Sequence, residues 1–188
     1  MSFKKTFTFA VFILSAYTLP SQDSGTPDPS GGTFPELPRS FRSFSLGMTL
    51  EELKTELAAD TELAFRGDRD VSFLPDSNQN LVDSAGRGII KRAFFQIKDD
   101  AVFVMTFEMD TEKIDHYSVF TTFSSKYGPP ALLGPRQSGW ENDKTRVYIE
   151  RPLTVKYIDK DVFDSIVLES KFSDSAAVIQ RQEFLEGF

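Results

Sequence analysis

Two runs of β-branched and aromatic residues, Ile89 to Ile97 and Val102 to Met109, stand on either side of Asp99-Asp100-Ala101 and read as a hairpin. In the second arm Val102, Val104, Thr106 and Glu108 alternate with Phe103, Met105, Phe107 and Met109, which places the latter four on one core-facing side. Further along, Gly139 to Glu141 and Arg146 to Glu150 frame an Asn142-Asp143 turn. Leu153 to Ile158 follows, with Leu153, Val155 and Tyr157 on one face and Pro152 confined to a strand start. These are antiparallel signals. Residues 63–74 and 162–169 are expected to add two short strands.

Helical patterns break this run of strands. Thr49-Leu50-Glu51-Glu52 is a capping box, in which the threonine hydroxyl accepts from a first-turn amide and the glutamate reaches back to the cap. Leu50, Leu53 and Leu57 then form one apolar stripe, predicting a helix over 50–59. A second helix reads from about Thr111 to Lys126, capped by Thr111 or Asp110, with Ile114, Tyr117, Phe120, Phe123 and Tyr127 at helical spacing. Gly128, Pro129 and Pro130 end it, the glycine by permitting a left-handed cap and the prolines by forbidding continuation. A terminal helix is expected from Ser173 to about Phe184. The fold class is therefore α+β, with helices packed on an antiparallel sheet. Helix starts at Thr49 and Thr111 lie 62 residues apart, which fits two tandem helix-plus-strands units or a single non-repeating sheet.

Composition agrees with a chain that buries a core: hydrophobic residues make up 40% of 188 positions, and 19 are Phe. The absence of cysteine excludes disulfides, thiol catalysis and an N-terminal lipid-modified cysteine. Lys4 and Lys5 precede a largely apolar run from Phe7 to Leu19, too short to span a membrane and laid out as a secretory signal. Residues 1–21 are expected to be that signal, with a mature start near Gln22; an uncleaved anchor is the alternative. Residues 22–40, rich in Pro, Gly and Ser, read as a flexible linker, and 41–188 as the globular domain. Loss of Lys4 and Lys5 takes the formal net charge from −7 to −9, which disfavours nucleic acid as a partner. The expected setting is the periplasm or outer envelope, with another envelope protein as partner and no membrane span after signal cleavage.

The stretch Phe44-Ser45-Leu46-Gly47-Met48-Thr49-Leu50-Glu51-Glu52-Leu53 resembles the opening of small envelope proteins such as the SmpA/BamE-like subunit of the outer-membrane β-barrel assembly machine. Lys126-Tyr127-Gly128-Pro129-Pro130, followed by Trp140 and a short hairpin, looks like a second feature of exported proteins of this build. The resemblance implies an α+β fold, shared in outline with the β-lactamase-inhibitor protein, and a non-catalytic contact role in the envelope. It departs from the assembly-machine subunit in having no cysteine to acylate.

Few residues suggest chemistry. His116 is the sole histidine, between Asp115 and Tyr117, and no G-x-S-x-G nucleophile motif accompanies it, so it reads as a helix residue. Asp99 and Asp100 read as turn residues, while Asp68 and Asp70 alternate with Arg69 in a self-neutralising mix; no cofactor or metal is assigned. Arg66-Gly67-Asp68 is the tripeptide that integrins read in extracellular loops, which makes Arg66, Gly67, Asp68, Arg69 and Asp70 a candidate interaction loop. Trp140 and the Phe-rich runs fit core packing better than a partner surface. The sequence thus points to a binding or assembly module. A small carboxylate-dependent or metal-dependent hydrolase, or an inhibitor of a secreted enzyme, is the alternative.

Overall fold

The computed structural model describes residues 35–74 and 78–186, so the expected signal peptide and residues 22–34 of the expected linker lie outside it. A small two-stranded sheet, β1 (Ser40–Phe41) with β2 (Phe44–Ser45), leads into helix α1 (Leu50–Ala59). A 3₁₀ turn at Gly67–Asp70 precedes four strands: β3 (Val71–Leu74), β4 (Gln79–Ala85), β5 (Ile90–Lys98) and β6 (Ala101–Met109). Helix α2 (His116–Tyr127) and four further strands follow: β7 (Leu132–Leu133), β8 (Gln137–Glu141), β9 (Thr145–Glu150) and β10 (Thr154–Asp159). Helix α3 (Lys160–Glu186) closes the described chain.

The eight strands form one antiparallel sheet in the order β3-β4-β5-β6-β10-β9-β8-β7. A helix followed by a four-strand meander therefore occurs twice, and the two meanders join where the last strand of each, β6 and β10, pair side by side. Both α1 and α2 pack on the front of this sheet. Leu50, Leu53 and Leu57 of α1 meet Phe95, Met105 and Phe107 of the sheet in one core, and Phe120 and Phe123 of α2 rest against its margin. The back carries a smaller cluster in which Val162, Phe163 and Ile166 of α3 cover Phe103, Val104 and Ile158.

A bulge in β6 explains how one strand serves both faces. Gln96 pairs with Val104 and Ile97 with Val102, leaving Phe103 as an extra residue. Phe103 and Val104 consequently share the back, while Val102 and Met105 share the front. The expected strict alternation, with Phe103 beside Met105 on one face, fails for this reason. The turn between β5 and β6 is the two-residue Asp99-Asp100, both at positive φ (51° and 61°), the left-handed geometry that matches strand twist in tight hairpins.

The capping box at α1 is complete. Glu52 N–H donates to Thr49 Oγ1 at 3.3 Å, and Thr49 N–H donates to Glu52 Oε2 at 2.9 Å. The segment before it is held by backbone: Gly47 N–H donates to Val102 O at 2.7 Å and Val102 N–H to Met48 O at 2.9 Å. Gly47 sits at φ +89°, which a residue with a Cβ adopts only under strain.

Several boundaries differ from expectation. Residues 35–40 pack on the domain, since Leu37 is buried and Arg39 reaches Lys144 O at 3.1 Å and pairs with Asp159, so the folded unit starts before residue 41. Helix α2 begins at His116 because Asp110 O and Oδ1 take the amides of Glu112, Lys113 and Ile114, closing a separate turn; Asp115 then caps the helix by accepting from Ser118 N–H at 2.9 Å. Tyr117, expected in the apolar stripe, is 73% exposed, and Val119 packs against the core margin instead. In residues 63–74 only Val71–Leu74 is strand. Residues 162–169 are helix, not strand: Val162, Phe163 and Ile166 recur at helical spacing on one apolar seam, so the terminal helix starts at Lys160 and not at Ser173. Strand β4 has no counterpart among the strands that the sequence pattern predicts. Its sequence QNLVDSA buries only Val82 and Ser84, which leaves little hydrophobic pattern to read.

Candidate functional site

The predicted interaction loop is shaped by pairs within the protein. Arg66 donates from its backbone N–H and its Nε–H to Asp70 at 2.9 and 2.8 Å, and Asp70 is buried. That bond holds the Arg66 guanidinium above its ordinary pKa. Gly67 supplies a positive φ of 74° at the bend, Asp68 receives Lys54 Nζ at 3.1 Å, and Arg69 is exposed. The acidic hairpin turn is similarly occupied: Asp100 Oδ1 accepts from Leu50 N–H at 3.2 Å, and Asp99 Oδ1 accepts from the Asn78 amide. These carboxylates brace turns and a helix start, which is what the sequence suggested for Asp99 and Asp100.

Trp140 is a core residue. Its indole is buried against Phe120 and Phe123, with centroids at 5.9 and 5.5 Å, and its Nε1–H donates to Gly128 O at 2.8 Å. This bond ties the end of α2 to β8. Gly128 ends α2 where the sequence predicts and at positive φ (82°), but its ψ of −176° is extended, so the left-handed helical cap expected there does not form.

His116 lies at the other end of α2. Its ring lies nearly parallel to Phe120, 12° between planes and 6.4 Å between centroids. Burial, and next the positive charge of Arg151, push the imidazole below its ordinary pKa, with Asp115 acting the other way. Its Nε2 is buried and has no hydrogen-bond partner among the described residues. The structure does not bring it together with the loop: none of Arg66, Gly67, Asp68, Arg69 and Asp70 lines His116's pocket or the groove described next.

The most apolar concavity is a groove of about 340 Å³ between β1 and the flank of α2, over the centre of the sheet. Phe41, Ile90, Met109, Val119, Phe123 and Val155 line it, Ile89 forms an exposed lip, and Arg42 and Glu62 supply the charge at its rim. Arg42 is turned aside to Asp60 at 3.1 Å. Tyr157 also lines the groove, and burial raises its phenol pKa, so the group stays protonated and neutral at physiological pH. Such a surface receives apolar groups and has little to offer a proton-transfer step. A larger depression of about 600 Å³ is bordered by the incoming segment Pro35 to Leu37 and by Glu36, Glu141, Asp143 and Lys144, a far more charged rim.

Sequence reasoning missed the groove because its residues come from β1, β5, β6, α2 and β10, each of which reads locally as ordinary core.

Among the described residues no group of three or more His, Asp or Glu is placed to hold a metal ion, and no helix is long and apolar enough to cross a membrane. None of the 188 residues is a cysteine, so none of them can carry a thioether-linked lipid. No curated protein and no solved structure matches the chain. Comparison with protein families matches residues 39–169 to the TP0088 domain, and gives no support to the SmpA/BamE resemblance of the Leu46–Thr49 segment. That segment has a local explanation in the backbone docking of Gly47 and the capping box. The match runs from Arg39 at the entry of the domain, through both helix-and-meander units, into α3; the chain belongs to the TP0088 domain family.

Proposed function

We propose that the protein is a non-catalytic binding module of the cell envelope that holds apolar side chains of a partner protein in the front groove. The observation that carries this reading is the groove itself: an open concavity of about 340 Å³ lined by aliphatic and aromatic side chains, with an exposed isoleucine at its lip. Exposed apolar surface of this kind costs solubility and is retained where a partner covers it. Its Tyr157 phenol, held protonated, adds a neutral polar group that orients a contact without titrating. The envelope setting rests on the secretory layout of residues 1–21, and the acidic net charge of −7 turns the module away from nucleic acid and anionic lipid.

The test is recovery of a partner from envelope extract by the wild-type chain and by three variants. Ile89→Asp places a charge at the lip of the groove and should abolish recovery, while His116→Ala and Asp68→Asn should leave it intact. A partner retained by Ile89→Asp with the fold preserved removes the groove from the interface. Loss of complementation of a deletion strain by His116→Ala, with partner recovery unchanged, moves a hydrolase to first place. Intact mass of the exported chain should correspond to a start near Gln22.

A further inference from the structure

Alternation along the strands fixes which backbone groups at the β3 end of the sheet lack a partner. Gly86 N–H donates to Lys91 O at 2.8 Å on the β5 side of β4. On the other side Ala64 N–H donates to Ala85 O at 2.8 Å and Arg87 N–H to Glu62 O at 2.7 Å. Ala85 and Arg87 therefore aim their backbone groups away from β5, and so, at every second residue, do Leu81 and Gln79. In the register of β3 with β4, Leu81 faces Ser72 and Gln79 faces Leu74. Ser72 and Leu74 thus carry the ladder to β4, while Val71 and Phe73 aim their N–H and C=O groups out of the sheet. The Val71 N–H agrees, since it donates to Asp68 O of the 3₁₀ turn. Val71 O, Phe73 N–H and Phe73 O have no partner among the described residues.

The two ends of the sheet are finished differently. Strand β7 has two residues, with Pro130 shortly before it and Pro135 shortly after, which closes that edge to pairing. Strand β3 has four residues, and Phe73, on the same side as buried Val71, is 68% exposed. The candidate interaction loop, Arg66 to Asp70, leads directly into it. We infer that β3 takes up an extended segment of another protein as a further antiparallel strand. A residue opposite Phe73 exchanges two hydrogen bonds with it, and the residue two positions on donates to Val71 O. Both residues stand on the front side, where the first covers the Phe73 ring, while the residue between them lies beside exposed Ser72 on the back. The segment therefore alternates apolar, polar, apolar, with β-branched or aromatic residues at the outer positions. A second copy of this chain fits less well, because pairing two β3 strands about Phe73 sets Pro75, which has no N–H, opposite Val71 O. Neither Val71 nor Phe73 lines the front groove, so this edge does not depend on the reading given above.

The probe is an acetylated and amidated peptide, Lys-Thr-Val-Thr-Val-Thr-Lys, added to the full chain while hydrogen exchange of the Phe73 backbone amide is followed by NMR. In the free chain this amide should exchange rapidly, and saturating peptide should slow it by about tenfold or more. N-methylation of both valines removes the N–H groups that face β3 and should abolish the protection. N-methylation of the threonine between them, whose N–H faces away, should preserve it. Phe73→Pro removes the outward donor at a position where an edge strand accepts proline, so the variant should fold and bind the peptide about tenfold or more weakly, read from the shift of the Ser72 amide. If that variant does not fold, the methylated peptides decide. The inference is overturned by a Phe73 amide already protected in the free chain or protected increasingly with protein concentration, which would mean that this chain covers its own edge. It is equally overturned by no protection from the peptide, by equal effects of the two methylations, or by undiminished affinity in folded Phe73→Pro.

Discussion

Helices α1 and α2 open two units of the same topology and cover the same face of one sheet, yet they are fastened differently. Leu50, Leu53 and Leu57 of α1 are all buried, whereas α2 has no fully buried residue and rests on the partly buried rings of Phe120 and Phe123. Two concavities flank α2, one along Val119 and Phe123 and the other along His116 and Phe120. Helix α1 therefore closes its part of the core, whereas α2 leaves open surface along its flanks, although the strands behind both helices are equally buried.

The largest expected effect tests this division directly. Leu53→Ala removes a fully buried side chain beneath α1 and should cost about 3 kcal/mol, while Phe120→Ala on a partly buried ring should cost about half as much. Urea unfolding of both variants at neutral pH measures the difference. Equal losses would show that α2 is packed as firmly as α1 and would end the comparison.

The second unit has polar ties that offset part of this looseness. Arg146 of β9 donates from Nη1 and Nη2 to Asp164 of α3 at 2.6 and 3.1 Å and from Nε to Glu141 of β8 at 3.0 Å, so one guanidinium joins two strands to the back helix. Arg146→Gln should cost about 1–2 kcal/mol, and the loss should shrink in high salt because Asp164 is partly exposed. Losses at Leu53 should not respond to salt. The helix caps sharpen the contrast further, since Thr49→Ala and Asp115→Ala should each cost about 1 kcal/mol despite the unequal packing behind them. A much larger loss at Asp115 would mean that α2 depends on its cap where α1 depends on its leucines.

What the sequence disclosed follows the same division. The capping box, the leucine stripe and the Asp99-Asp100 hairpin of the first unit are local patterns, each enforced by neighbours a few residues away, and each stands in the structure. In the second unit, Gly128 and the Trp140 hairpin were legible for the same reason. The sequence predicts the start of α2 about five residues early because Asp110 and Asp115 are both good caps, and only the turn closed on Asp110 O decides between them. The split of Phe103 from Met105 depends on a bulge set by pairing with β5, information that alternation along one strand does not contain. Neither concavity had a sequence signature, since five separate elements meet at the groove, and the His116 pocket joins α2 to residues near β7, β8 and the turn before β10.

The smallest expected effect is a pH dependence confined to the second unit. An unfolded histidine titrates near 6.5, and burial together with Arg151 places folded His116 below that value. Above about 6.5 the imidazole is neutral in both states and contributes no slope. As pH falls through 6.5 the unfolded chain takes up a proton that the folded chain refuses, so stability declines until the lower folded pKa is reached and then levels off. The carboxylates held low by hydrogen bonds, among them Glu52 through Thr49 and Asp115 through Ser118, lose their contribution only in the more acidic range where carboxylates protonate. Between pH 7 and 5 the decline should therefore be shallow and should trace to one side chain, because the chain has a single histidine. Denaturation at closely spaced pH values should show this slope in the wild-type protein and a flatter line for His116→Gln. Parallel slopes in the two proteins would mean that folded His116 titrates as freely as the unfolded residue, and that the pocket around it is as open to water as the rest of the surface of α2.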